Sequence, residues 1–376
     1  MGTFGTSMKF KTASVVLAVL AAAGVGTWIC QLMNGLGVTG MNNSTSWGLY
    51  ITMFMFLVGL SAGGLIISSV PRAFGMKGFG GISKIAVWTS ICCTVLAVGF
   101  VVIDLGQPLR LWELFAYSNL GSPLMWDIAV LATYLVLSIV YLWAMLRYES
   151  GKGSAVSLRV ISTIALITAI LVHSVTAWIF GLQQGREMWH TALLAPWFVS
   201  SALVCGVALV LVVVIALRKA GYLELDQANV VKLVKMLGAF VVVDLYFFGC
   251  DLLTAGFPGG SGSEIVAMLA TGPLAPFSGS RSSAARCAPR CASRRSCART
   301  RSSWSPACWP LSASSASARS CWWVGSRIPN LDYAGPSTQY TVTDWTSGMA
   351  GAYQGMVYWP TPMEFGIVLG VFGLGR

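Results

Sequence analysis

The chain has 376 residues, of which 56% are hydrophobic and 10% charged, with a formal net charge of +11. A soluble domain carries about 25% charged residues, so the composition excludes a soluble enzyme. The net charge misleads: nine arginines between 281 and 327 supply most of it and the remainder is +2, so no nucleic-acid partner is expected.

In lipid only helices and closed barrels satisfy their backbone polar groups. The apolar runs here reach about 20 residues, the length of a spanning helix rather than a barrel strand. The fold class expected is therefore an all-α, polytopic integral-membrane helix bundle. Seven spans are predicted, at roughly 12–33, 48–70, 85–105, 125–146, 158–180, 196–217 and 230–253. One set of flanks and loops carries twelve Lys and Arg residues, from Lys9 to Lys235. The opposite set carries only Arg110 and Arg186, which predicts an inside N-terminus. The first span is longer than the 7–15-residue apolar core of a signal peptide and is expected to be a retained helix.

Span two contains Gly59-Leu-Ser-Ala-Gly-Gly64. Small residues there let helices approach closely; Gly63 and Gly64 alternatively leave room for a flat ring against the backbone. Span three ends at Asp104, where the helix dipole disfavours a carboxylate. The following Asp104-Leu-Gly-Gln-Pro-Leu-Arg110 offers Arg110 as its ion-pair partner. Span four opens Ser122-Pro-Leu-Met-Trp-Asp127, with Ser122 as N-cap, Pro123 at the first helical position and Asp127 as a helix-start acid.

His173 falls about 10 Å inside the end of span five. It is one of two histidines; the other, His190, follows Arg186 and Trp189 ahead of span six. Histidine exchanges a proton near neutral pH, though a lone histidine on an apolar helix is also an ordinary hydrogen-bonded core residue. Span seven places Asp244 about two-thirds of the way across and Asp251 closer to the interface. An intramembrane acid pairs with another helix, faces water or is protonated, and it marks a site by default. These ionisable groups all fall toward one side of the membrane, the outer one by the loop charges. Two histidines at different depths argue against a bound haem, and no metal-ligand spacing or nucleotide fingerprint is present.

Residues 278–327 differ in kind. They are rich in Ser, Arg, Ala and Cys, and no acidic residue occurs between Glu264 and Asp332. Their cysteines lack the C-x2-C spacing of metal or iron–sulfur sites. A basic disordered loop is one reading. The favoured one is out-of-frame translation of a G+C-rich gene across two helices, since about 50 residues is the room that two spans and a turn need. The domain organisation expected is a seven-helix region at 1–277, the anomalous segment at 278–327, and an outer loop with a truncated last helix at 328–376.

Several motifs occur in a characteristic order. They are Trp47-Gly-Leu-Tyr-Ile51 with Gly59–Gly64, Asp104–Arg110, Ser122–Asp127, His173-Ser-Val-Thr-Ala-Trp-Ile-Phe180, Trp189-His-Thr-Ala-Leu-Leu-Ala-Pro196, Ser201-Ala-Leu-Val-Cys-Gly206 and Tyr358-Trp-Pro-Thr-Pro-Met-Glu364. Together they resemble the NrfD / polysulfide reductase membrane-subunit family, over roughly 45–277 and 328–376. The resemblance implies two four-helix bundles plus accessory helices, and a haem-free site for menaquinone or ubiquinone near the outer face. It also implies partners: a four-cluster iron–sulfur subunit and a molybdopterin catalytic subunit.

The expected function is thus a membrane anchor that exchanges electrons and protons with quinone and is not a complete enzyme alone. His173, Asp104 and Asp244 are the proton-handling candidates. His190, Arg110, Arg186, Gly63, Gly64 and Trp189 are the quinone-binding ones. The rival is a secondary transporter or proton-coupled channel, which would show helices broken near the midplane.

Overall fold

The computed structural model describes residues 8–41, 47–75, 80–183, 189–222, 227–259, 263, 266–267 and 360–374. The anomalous segment 278–327 and most of 328–376 lie outside the described residues. The helices are α1 (Met8–Asn34), α2 (Leu49–Ala73), α3 (Gly80–Asp104), a single turn α4 (Glu113–Ala116), α5 (Pro123–Glu149), α6 (Ala155–Gly181), α7 (Leu194–Lys219), α8 (Gln227–Gly256) and α9 (Pro362–Leu374). Among the described residues, seven of them are long and apolar enough to cross a membrane: α1 from Thr12, α2, α3 and α5 to α8.

The helices overrun the predicted apolar runs because hydropathy marks only the lipid-facing length, whereas capping sets the end. Helix α5 shows this. Ser122 stands at its N-cap in extended conformation and Pro123 at its first position, as expected, although the Ser122 side chain makes no capping hydrogen bond. At the other end, Gly151 adopts φ +75°, the Lys152 N–H donates to Arg147 O at 3.0 Å and the Gly151 N–H to Tyr148 O at 3.1 Å. This is the paired 6→1 and 5→2 closure that a glycine in the left-handed region permits. The same closure ends α7 at Gly221. Basic residues, Arg147 in α5 and Arg218 and Lys219 in α7, occupy the last turns, where they complement the helix dipole.

The chain forms two compact units. Among the described residues, the first holds α1, α2 through Phe54, α3 from Leu96 with the loop to Tyr117, and α9. The second holds α2 from Met55, α3 to Val95, and α5 to α8.

In the first unit, α1 and α9 lie backbone to backbone. A Cβ added at Gly24 would collide with the Gly370 backbone, and one at Gly373 would stand 2.7 Å from Leu17 O. Gln31 of α1 donates through Nε2 to Ile103 O at 3.2 Å and accepts from Tyr50 Oη at 2.7 Å, tying α1 to both α3 and α2. Helix α9 opens with a capping box: the Thr361 N–H donates to Glu364 Oε2 at 2.6 Å and the Glu364 N–H to Thr361 Oγ1 at 3.4 Å.

In the second unit, α5, α6, α7 and α8 pack in chain order. Helix α2 meets α7 where Gly63 faces Gly206, and meets α3 where Gly64 faces Ala86. Ile67, Ile82, Val207, Leu211, Leu233 and Leu237 fill the core beside that contact. Lipid is as apolar as these side chains, so close backbone packing and interhelical hydrogen bonds hold such a bundle. An ion pair, Lys84 Nζ to Glu149 Oε2 at 2.8 Å, joins the start of α3 to the end of α5.

Candidate functional site

His173 lies eight residues before the end of α6 at Gly181, roughly 12 Å in at 1.5 Å per residue. Its side chain is 5% exposed. The space for its ring is opened by Gly59 of α2: a Cβ there would touch His173 Cε1 at 3.6 Å. Phe198 of α7 lies alongside, with ring centroids 5.9 Å apart. His173 Nδ1 is buried and has no hydrogen-bond partner among the described residues. Buried polar atoms are almost always satisfied, and leaving one unmet costs about 1–3 kcal/mol. The orphan nitrogen is therefore a place where a hydroxyl or water belongs.

Asp127 stands one turn from His173 by way of Thr176. It is the fifth residue of α5 and 4% exposed, so it is not the helix-start acid expected from the sequence. It faces α6, where Thr176 Oγ1 donates to Asp127 Oδ1 at 2.5 Å while also lying 2.9 Å from Val172 O. A hydroxyl has one proton to give, so it cannot serve both acceptors fully.

Asp244 of α8 is also buried, and Ser200 of α7 reaches it at a long 3.5 Å. Trp197, one turn before Ser200, packs its ring on Phe248 at 5.8 Å. Within the second unit, the His173, Asp127 and Asp244 side chains thus gather toward one end of the bundle: the start of α5 and α7 and the later half of α6 and α8. At that end Trp189 is buried edge-on against Phe180, with centroids 5.2 Å apart. His190 is exposed, and its Nδ1 lies 3.0 Å from Gly181 O. Arg186 lies outside the described residues.

Asp104 belongs to the first unit. Its Oδ1 is buried with no hydrogen-bond partner among the described residues. The expected Asp104–Arg110 ion pair is not formed. Arg110 is turned instead to Glu113, three residues on, with Nε and Nη2 each 2.9 Å from a carboxylate oxygen. The short turns Pro108–Arg110 and Glu113–Ala116 bring those two side chains onto one surface face, and bidentate geometry favours the pair. Arg110 holds the Glu113 carboxyl below its ordinary range through that hydrogen bond.

The reading of Gly63 and Gly64 as room for a ring is also corrected. The backbone of α7 fills the space beside Gly63, and Ala86 O lies 3.1 Å from a Cβ at Gly64. It is Gly59, one turn earlier, that faces the histidine.

Sequence reasoning missed three fully or nearly buried groups of the first unit: Gln31, Tyr50 and Glu364. Glu364 also accepts from the Gly40 N–H at 3.2 Å. The signal that could have found it is Thr361-Pro-Met-Glu364, a capping-box spacing ahead of an apolar run. For Asp127 the sequence shows the position near a helix start but not which neighbouring helix the side chain faces.

By fold and site, the chain is an all-α, multi-pass membrane protein with a histidine and two acids buried at one end of a helix bundle. The model of the family described as "Polysulphide reductase, NrfD" matches residues 37–276, more than half of the chain, and the chain belongs to that family. It is 37% identical over 249 residues to a Halobacterium salinarum protein provisionally named as a membrane subunit of dimethyl sulfoxide reductase, covering 62% of this chain and 57% of that one. It is 29% identical over 280 residues to a selenate reductase subunit of Mesobacillus selenatarsenatis, covering 65% and 64%. It is 26% identical over 253 residues to the Hdr-like menaquinol oxidoreductase integral membrane subunit of Archaeoglobus fulgidus, covering 67% and 62%. The chain spans less than two thirds of the length of each of these relatives.

Proposed function

We propose that this chain is the quinone-exchanging membrane subunit of a multi-subunit oxidoreductase of the cell membrane. The observation that carries the reading is His173, buried at helix depth with an unpartnered Nδ1 and a glycine opposite its ring. The name of the menaquinol oxidoreductase relative supports it. A quinol gives up protons and electrons together. A neutral imidazole can accept a hydrogen bond from the quinol hydroxyl and take its proton; in the reverse direction an imidazolium returns it. Asp104 in the first unit is a second proton acceptor, and Asp244 a further relay. Trp189, His190 and Arg186 border the quinone, and menaquinone or ubiquinone is the exchangeable ligand. Arg110 is held by Glu113, which leaves Arg186 as the cation for negative charge on the ligand.

In this reading the N-terminus is inside and the His173 end faces outward, as the loop charges favour. The helices form two four-helix bundles with accessory helices. Electrons pass to an iron–sulfur subunit and on to a molybdopterin catalytic subunit, both docked from outside this chain. The transporter reading is less well supported, because the described spanning helices run 25–30 residues without a break near their middle.

Menaquinol quenching of the intrinsic fluorescence of the 15 tryptophans tests the site. His173→Ala is expected to weaken binding by about tenfold or more, the cost of one buried hydrogen bond to a polar group. Asp104→Ala is expected to weaken it as well. Unchanged affinity in both variants would reject the assignment.

A further inference from the structure

The end of the second unit opposite His173 carries two arginines that no carboxylate answers. Arg72 stands in the last turn of α2. Its Nε is buried and has no hydrogen-bond partner among the described residues. Ser69, one turn earlier on the same face of the helix, is 0% exposed, and its Oγ is unmet in the same way. Helix α2 closes at Gly75, which adopts φ +70°, and a Cβ there would lie 4.0 Å from Arg159 Nη2 of α6. The turn that ends α2 thus holds a second guanidinium, from another helix, beside the segment that carries Arg72.

Neither arginine forms an ion pair among the described residues. Glu149, at the same end of the bundle, is engaged by Lys84 Nζ at 2.8 Å. The Tyr141 hydroxyl is close enough to Arg72 to feel its charge, but it is a neutral group and donates to Ser68 O at 3.1 Å. A guanidinium keeps its charge at any physiological pH, and a buried cation is normally paired. The arrangement suits an anion with several acceptor oxygens, which a phosphate group supplies to arginine in matching geometry.

The surroundings favour a lipid phosphate over a free one. Arg159 stands at the head of an apolar stripe: Val160, Ile164, Ile167 and Leu171 recur at helical spacing along α6 and are each 42–61% exposed. Phe74, next to Gly75, is 74% exposed. A free phosphate makes no use of such a face. A phospholipid with its phosphate at the two arginines lays an acyl chain along it. Basic pockets between spanning helices take anionic headgroups in this manner.

We infer that Arg72 and Arg159 form a binding site for the phosphate of an anionic phospholipid, where the end of α2 meets the start of α6. The bound lipid ties those two helices together at the end of the bundle away from His173. Binding involves no covalent or redox step, and the site stands independently of the quinone reading.

The test is binding of dioctanoyl phosphatidylglycerol to the delipidated full chain in detergent, counted by native mass spectrometry and titrated by the rise in melting temperature. Dioctanoyl phosphatidylcholine, whose headgroup has no net charge, and inorganic phosphate are titrated alongside. Phosphatidylglycerol is expected to bind about tenfold or more tighter than either. Arg72→Gln and Arg159→Gln should each weaken it by about tenfold or more, the worth of a hydrogen bond to a charged group. Lys152→Gln removes an exposed cation from the loop ahead of α6 and should leave the affinity unchanged. Should Arg72→Gln fail to fold, Arg159→Gln, at an exposed position, decides alone. Unaltered affinity in the arginine variants would overturn the site. So would an equal loss in Lys152→Gln, which is the mark of general surface charge. Inorganic phosphate that binds as tightly as the lipid, with the same dependence on Arg72, would reject the lipid in favour of a free anion.

Discussion

A single carboxylate can be decided by its nearest hydrogen-bond partner, and three acids in this protein show it. Asp127 is engaged by Thr176, Asp104 keeps a buried oxygen unmet, and Glu113 takes Arg110. The last pair is well exposed, with side-chain exposures of 66% for Arg110 and 33% for Glu113, so it is expected to matter little for stability. Its sign is nonetheless defined. The folded Glu113 carboxyl is held below its unfolded value, so the pair contributes above the unfolded value near pH ~4.3. The contribution is lost as pH falls through the folded value. Glu113→Gln is expected to lower the detergent-solubilised melting temperature slightly at neutral pH. The difference should vanish below that window, and also in high salt, which screens exposed charges. A thermal melt across pH checks it.

At the scale of helices, glycine positions carry the packing. Gly63 and Gly206 bring α2 and α7 into backbone contact, and a Cβ at Gly63 would stand 2.8 Å from Gly206 Cα and closer still to Ala202 O. The obstacle is backbone, which cannot swing aside, so Gly63→Ala is expected to destabilise by about 1–3 kcal/mol, as overpacking does. Gly26 in α1 has nothing within 4 Å of an added Cβ. Gly26→Ala is expected to be neutral or to stabilise by up to about 1 kcal/mol through helix propensity. Equal melting temperatures for the two variants would contradict this assignment of roles. Both residues read alike in the sequence, as small residues in an apolar span, and only the facing helix distinguishes them.

At the scale of the whole chain, the family match ends at residue 276, directly before the change in composition at 278. We propose that 278–327 is the out-of-frame product of two further helices. Resequencing the gene is expected to show compensating insertions or deletions near the two borders, and the restored frame should read as two apolar runs. A clean read in one frame throughout would end the proposal. Among the described residues, the number, position and type of the spanning helices were legible in the sequence, because the lipid demands long apolar runs and internally satisfied backbones, and both are local properties. So were His173 and Asp244 as groups buried at helix depth, since an ionisable side chain in an apolar run is costly against lipid and turns to the bundle interior. The partners of those groups were not legible. That Gly59 rather than Gly63 faces the histidine and that Asp127 turns to Thr176 depend on how helices are rotated against one another. Rotation is set by packing between segments distant in the chain, which only the tertiary structure decides.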